Sequence, residues 1–125
     1  MSGGDWKEMY GAAIDGDVAL LRYHLDKGVD PNFQHPEFQC TALVGALLAG
    51  QLETSHALLA GGADPRLLSE FDALTPAQAA WCSGNPELRQ LLARHGIPAD
   101  EGADAAPPNA EKFGLRALWR WWRTM

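Results

Sequence analysis

Three glycines, Gly28, Gly62 and Gly96, stand at one fixed step of 34 residues, and a second set, Gly16, Gly50 and Gly84, keeps the same step. Thr41 and Thr75 keep it too. A period shared over most of a chain means one supersecondary unit copied along it. Each copy buries a face only by stacking on its neighbour, so the period predicts an elongated array with a single continuous core.

Within each period the order is constant. A short apolar segment comes first: 9–14, 43–48 and 77–81. A turn follows at Gly16, Gly50 and Gly84. A second segment comes next, 18–26, 52–60 and 87–94, with Val18, Leu21 and Leu25, then Leu52, Leu58 and Leu59, then Leu88, Leu91 and Leu92 at helical spacing. Gly28, Gly62 or Gly96 closes the unit, as a left-handed residue does just past a helix end. Two helices per unit are therefore expected, with Thr41 and Thr75 as N-caps. The stretches from Gly28 to Cys40 and from Gly62 to Leu74 contain Pro31, Pro36 and Pro65, so neither continues a helix.

Thr75-Pro76-Ala77 with Ala79-Ala80, Gly84 and Leu91-Leu92, and Leu58-Leu59 running into Gly62-Ala63-Asp64, resemble the ankyrin repeat. So do Ala12-Ala13, Gly16-Asp17-Val18 and Gly28-Val29-Asp30 in the first unit. The resemblance covers residues 5–98. It implies an all-α ankyrin-repeat solenoid of stacked helix-turn-helix units with projecting hairpin loops. Tetratricopeptide repeats share the period, but their short turns leave no room for the long proline-containing connections. Expected boundaries are a repeat domain over 1–98 (units 5–38, 39–72 and 73–98), a linker over 99–110 and an amphipathic helix over 111–125. Tyr10, Val44 and Gln78 replace the histidine that the family uses to tie loops together, so looser loops are expected.

The resemblance implies a partner protein bound by the hairpin tips and the first-helix ridge; the chain itself is expected to be monomeric. Carried over by position, the candidate residues are Ile14, Asp15, Phe33, Glu37, Phe38, Gln39, Leu48, Ala49, Glu70, Phe71, Ala73, Cys82 and Ser83. Ile14, Leu48, Phe33, Phe38 and Phe71 are expected to form an exposed apolar stripe. Asp15, Glu37, Glu70 and Asp72 edge it, which suits a partner with a basic segment.

Charge bears on the partner. The chain has 16 acids and 10 Lys or Arg, net −6. Lys112, Arg116, Arg120 and Arg123 lie near the end, leaving the first 110 residues with fifteen acids, six bases and a net of −9. Such a body is a poor match for nucleic acid, whose phosphates call for basic surface.

The final segment is of a different kind. On a helix, Leu115, Leu118, Trp119, Trp121, Trp122 and Met125 share an arc of about 160°, with the four bases beside it. A helix of about 14 residues is marginal alone in water, so this one is expected to dock. The end of the third unit, a partner groove and a membrane surface all suit it.

No catalytic, cofactor or metal motif emerges. His24, His35, His56 and His95 are scattered, and none pairs with another His or with Cys40 or Cys82 at metal-ligand spacing. Gly61-Gly62 ends a helix instead of opening one, unlike a phosphate loop. Asp100-Glu101-Gly102-Ala103-Asp104 lacks calcium-loop spacing. Two cysteines at non-equivalent positions suit a reducing cytoplasm. The start of the sequence has neither a basic nor an apolar run of the leader type.

Overall fold

A computed structural model describes residues 3–34, 39–98 and 100–103. The linker beyond 103 and the expected docking helix at 111–125 lie outside the described residues. Six helices appear in order: α1 (Gly3–Asp15), α2 (Val18–Asp26), α3 (Ala42–Leu48), α4 (Leu52–Ala60), α5 (Pro76–Ser83) and α6 (Pro86–Arg94). No strand occurs among the described residues. Their extended pairing is one isolated antiparallel bridge between Ser69 and Leu74.

The caps explain the helix starts. Thr41 Oγ1 accepts from Val44 N at 3.2 Å, opening α3. Thr75 Oγ1 accepts from Gln78 N at 3.3 Å while Gln78 Oε1 accepts from Thr75 N at 2.9 Å, a reciprocal capping box that opens α5. Asp17 Oδ1 accepts from Leu20 N and Asn85 Oδ1 from Glu87 N, one-way caps that open α2 and α6. The six periodic glycines all have positive φ, from 75° to 104°. Helix α1 begins six residues before the expected Met9. Trp6, within this extra length, is fully buried beside the core of the first unit.

The helices form two layers. α1, α3 and α5 pack side by side, as do α2, α4 and α6, and each first helix pairs with the second helix of its own unit. The core runs through both layers by way of Trp6, Met9, Leu21, Leu47, Leu58, Leu88 and Leu92. Truncating a leucine of this set to alanine costs about 2–5 kcal/mol. α3 sits between α1 and α5, and all seven of its residues are buried. Its close approach to α1 depends on Gly45. A Cβ there would lie 3.0–3.2 Å from the Tyr10 ring, tighter than carbon contacts allow without movement.

Neighbouring units are also joined by polar bonds. The C-terminal carbonyls of α1 lack helical partners. Thr54 Oγ1 of α4 donates to Ala13 O at 2.7 Å, and Nε2 of Gln51, the residue before α4, donates to Ile14 O at 3.0 Å, so the next unit supplies them. At the far end the 100–103 turn folds back onto α5. A Cβ on Gly102 would lie 2.7 Å from the Ala77 carbonyl carbon, and Arg66 Nη1 reaches both Glu101 oxygens at 3.2 Å.

Candidate interaction surface

The loops between units are tied to one another, contrary to the looseness expected from the missing histidine. Gln34 bridges in both directions: its Nε2 donates to Leu68 O at 3.1 Å, and its Oε1 accepts from Glu70 N at 3.2 Å. Phe71 N donates to Gln39 O at 2.9 Å. Thr41 N donates to Ser69 Oγ at 3.1 Å, and the Ser69 hydroxyl donates to Asp72 Oδ2 at 2.6 Å. Asn32 Nδ2 donates to Gly62 O, and Asn32 Oδ1 accepts from Asp64 N at 2.7 Å. Side-chain amides and hydroxyls thus replace the imidazole.

This clamping sets the tip at residues 68–73. Leu68 is 43% exposed and Phe71 50%, and with Tyr23 they are the exposed large apolar residues of the described chain. Glu70 is exposed and Asp72 half-buried beside them. Gln39 and Ala73, one period apart, hold left-handed backbone with φ 53° and 54°. Left-handed backbone is unfavourable for residues other than glycine by about 1–2 kcal/mol. Both residues sit two positions before a capping threonine, where the chain turns from the loop into α3 or α5.

A helix pair per unit, a closing left-handed glycine and a clamped loop between units define the architecture. The chain has the ankyrin-repeat fold. No family model matches its sequence, and none of the curated proteins is significantly similar to it. Among solved structures 102 chains match. One is the crystal structure of the human ASB11 ankyrin repeat domain, with a TM-score of 0.65 and 27% identity. The match covers 72% of this chain and 40% of that one, so this chain spans well under half of its relative.

The ankyrin units place the candidate residues unevenly. Asp15, Gln39, Glu70, Phe71 and Ala73 are exposed, and Ile14, Phe33, Ala49 and Ser83 are half-buried. Glu37 and Phe38 lie outside the described residues. Leu48 and Cys82 are buried, at 9% and 5% exposure. Of the apolar stripe expected from Ile14, Leu48, Phe33, Phe38 and Phe71, Phe71 is exposed, Ile14 and Phe33 are half-buried, and Leu48 is corrected to a core position. Leu48 falls inside because α3 is covered by both neighbouring first helices. Ile14 packs on the core, and the Phe33 ring stands edge-on to Trp6 at 6.0 Å. Leu68 was missed, since nothing in its local pattern separates a tip leucine from a core one. Gln34 carries a signal in retrospect: it stands one period before Leu68, whose carbonyl it binds.

Reactive chemistry is muted here. Burial pushes the Cys40 thiol up to about 11 and the Tyr10 hydroxyl well above its usual range, and the two groups share a hydrogen bond. A thiol held neutral is a poor nucleophile. Among the described residues no three His, Cys, Asp or Glu side chains cluster to hold a metal, and no described helix is long and apolar enough to cross a membrane. His24 is buried in α2, whereas His56 on α4 is exposed.

Proposed function

We propose that this ankyrin-repeat chain is a non-catalytic protein-interaction module. It takes a partner protein on the concave side, with the loop at 68–73 as its main anchor. The observation that carries this reading is Phe71, half exposed on a loop whose backbone is fixed by bonds to Gln34 and Gln39. A large aromatic side chain on a pre-ordered backbone loses little entropy on binding, which is the character of an interface hot spot. Glu70 and Asp72 beside it, with Asp15 on α1, favour a partner whose apolar residue is flanked by lysine or arginine. A cytoplasmic setting accompanies this reading, since two buried free thiols suit a reducing compartment.

The test replaces both exposed tip residues, Leu68→Asp with Phe71→Asp, and compares the proteins captured from lysate by the immobilised variant and parent. Loss of capture with unchanged helical circular dichroism supports the tip as the anchor. Undiminished capture removes the tip from the interface. Leu48 is unsuitable as a probe, because an aspartate there would enter the core.

A further inference from the structure

The second-helix layer carries one local surface where two arginines and a histidine meet a single acid. A depression of about 360 Å³ crosses it, and every residue lining it belongs to α2, α4 or α6. Val18, Leu52 and Leu91 form its apolar floor, while Arg22, His56 and Arg94 stand around it with Glu53. Arg22 and His56 are one period apart, so stacking the units brings them to one line.

The cations of the first 110 residues are few, and most are engaged. Lys27 Nζ bonds Tyr23 Oη at 3.3 Å and sits over its ring. Arg66 pairs with Glu101. Arg89 stacks over Trp81 at 4.1 Å. Lys7 also has a partner. The two left without a hydrogen bond, ion pair or ring contact among the described residues are Arg22 and Arg94, and both line this depression. On a body with a net charge of −9 and carboxylates in surplus, two unneutralised guanidiniums and an exposed imidazole gather over one apolar floor.

We propose that this depression is a second docking site, and that its occupant is an acidic amphipathic helix of a partner protein. Apolar side chains of that helix rest on Val18, Leu52 and Leu91, and its carboxylates pair with Arg22, His56 and Arg94. Arginine suits this role through its fixed fork of donors to a carboxylate. The apolar floor selects a peptide over a bare polyanion, and the acidic body around the site repels extended phosphate backbones. The site is independent of the loop at 68–73, and a partner with both a basic and an acidic segment would bridge the two.

The experiment uses the full chain and a fluorescein-labelled 18-residue peptide, with leucine at every third or fourth position and glutamate elsewhere. Fluorescence anisotropy is read at low and high salt, beside a lysine-for-glutamate twin, a poly-glutamate peptide without leucine and a 20-nucleotide oligothymidylate. The glutamate–leucine peptide is expected to bind saturably, more weakly at high salt, and more tightly than all three controls. Arg22→Glu with Arg94→Glu is expected to weaken it about tenfold, since each change turns an attraction into a repulsion. Phe71→Asp is expected to leave it unchanged, which separates this site from the tip. Should the double reversal fail to fold by circular dichroism, Arg22→Gln with Arg94→Gln is read instead, with a loss of about threefold expected. Absent binding, equal binding by any control, or arginine variants that bind like the parent would overturn the proposal.

Discussion

Asn32 and Arg66 do the same task one period apart: each sends a side-chain nitrogen to the carbonyl of the closing glycine of the next unit. Asn32 Nδ2 reaches Gly62 O at 3.1 Å, and Arg66 Nη2 reaches Gly96 O at 3.3 Å. The bond is kept although the residue type changes, because the stacking geometry repeats and any donor of sufficient reach meets the same carbonyl.

The two residues should differ in weight. Asn32 also accepts from Asp64 N at 2.7 Å and is half-buried, so Asn32→Ala should lower unfolding stability by about 1–2 kcal/mol. The Arg66 side chain is 57% exposed, and water replaces its bonds readily, so Arg66→Ala should cost less than about 1 kcal/mol. Urea denaturation of both variants measures the difference, and an equal loss would contradict it.

Relief of backbone strain should stabilise the loop. Ala73 holds φ 54° and Gly would occupy that conformation without a Cβ clash. Ala73→Gly should therefore raise stability by about 1 kcal/mol. A lowered melting temperature would show that the loop carries no such strain.

High pH should weaken the fold through Cys40. Burial raises its thiol in the folded state from an ordinary 9.0 to about 11. Below about pH 9 the thiol is neutral folded or unfolded, and its contribution is complete. Between 9 and 11 the unfolded chain gives up the proton and the folded chain keeps it, so stability falls as pH rises. A loss of about 2 kcal/mol across this window is expected. Melting curves of the parent and of Cys40→Ala test it, the variant showing the shallower decline.

His24 is a buried polar group of another kind. It is 3% exposed, and neither ring nitrogen has a hydrogen-bond partner among the described residues; Glu8 Oε1 is 4.0 Å from Nε2. A buried polar group without a bond is unfavourable relative to an apolar one of similar size. His24→Leu should raise stability by about 1 kcal/mol at neutral pH. Destabilisation in thermal melts would mean that the imidazole is paired after all.

Most of the architecture was legible because it follows from local rules that repeat. Apolar spacing located α2, α4 and α6, and Thr41 and Thr75 announced the starts of α3 and α5. Surface was less legible. Leu48 and Phe71 look alike as apolar residues near a turn, yet one lies inside and the other out. The difference is decided by neighbours one period away on either side, which no local window contains. The loop ties were hidden for the same reason, as Gln34 and Asn32 act on residues about thirty positions later. Glu37, Phe38 and the segment with Trp119, Trp121 and Trp122 lie outside the described residues.

The turn at 100–103 has an architectural corollary. Gly102 rests against the start of α5 so closely that no side chain fits between them. α5 is the last of the stacked first helices among the described residues, so the first helix of an appended unit would pack on it. Extending the array by engineering would therefore begin with excision of this turn, and Glu101 would leave with it, while Arg66 keeps its bond to Gly96 O.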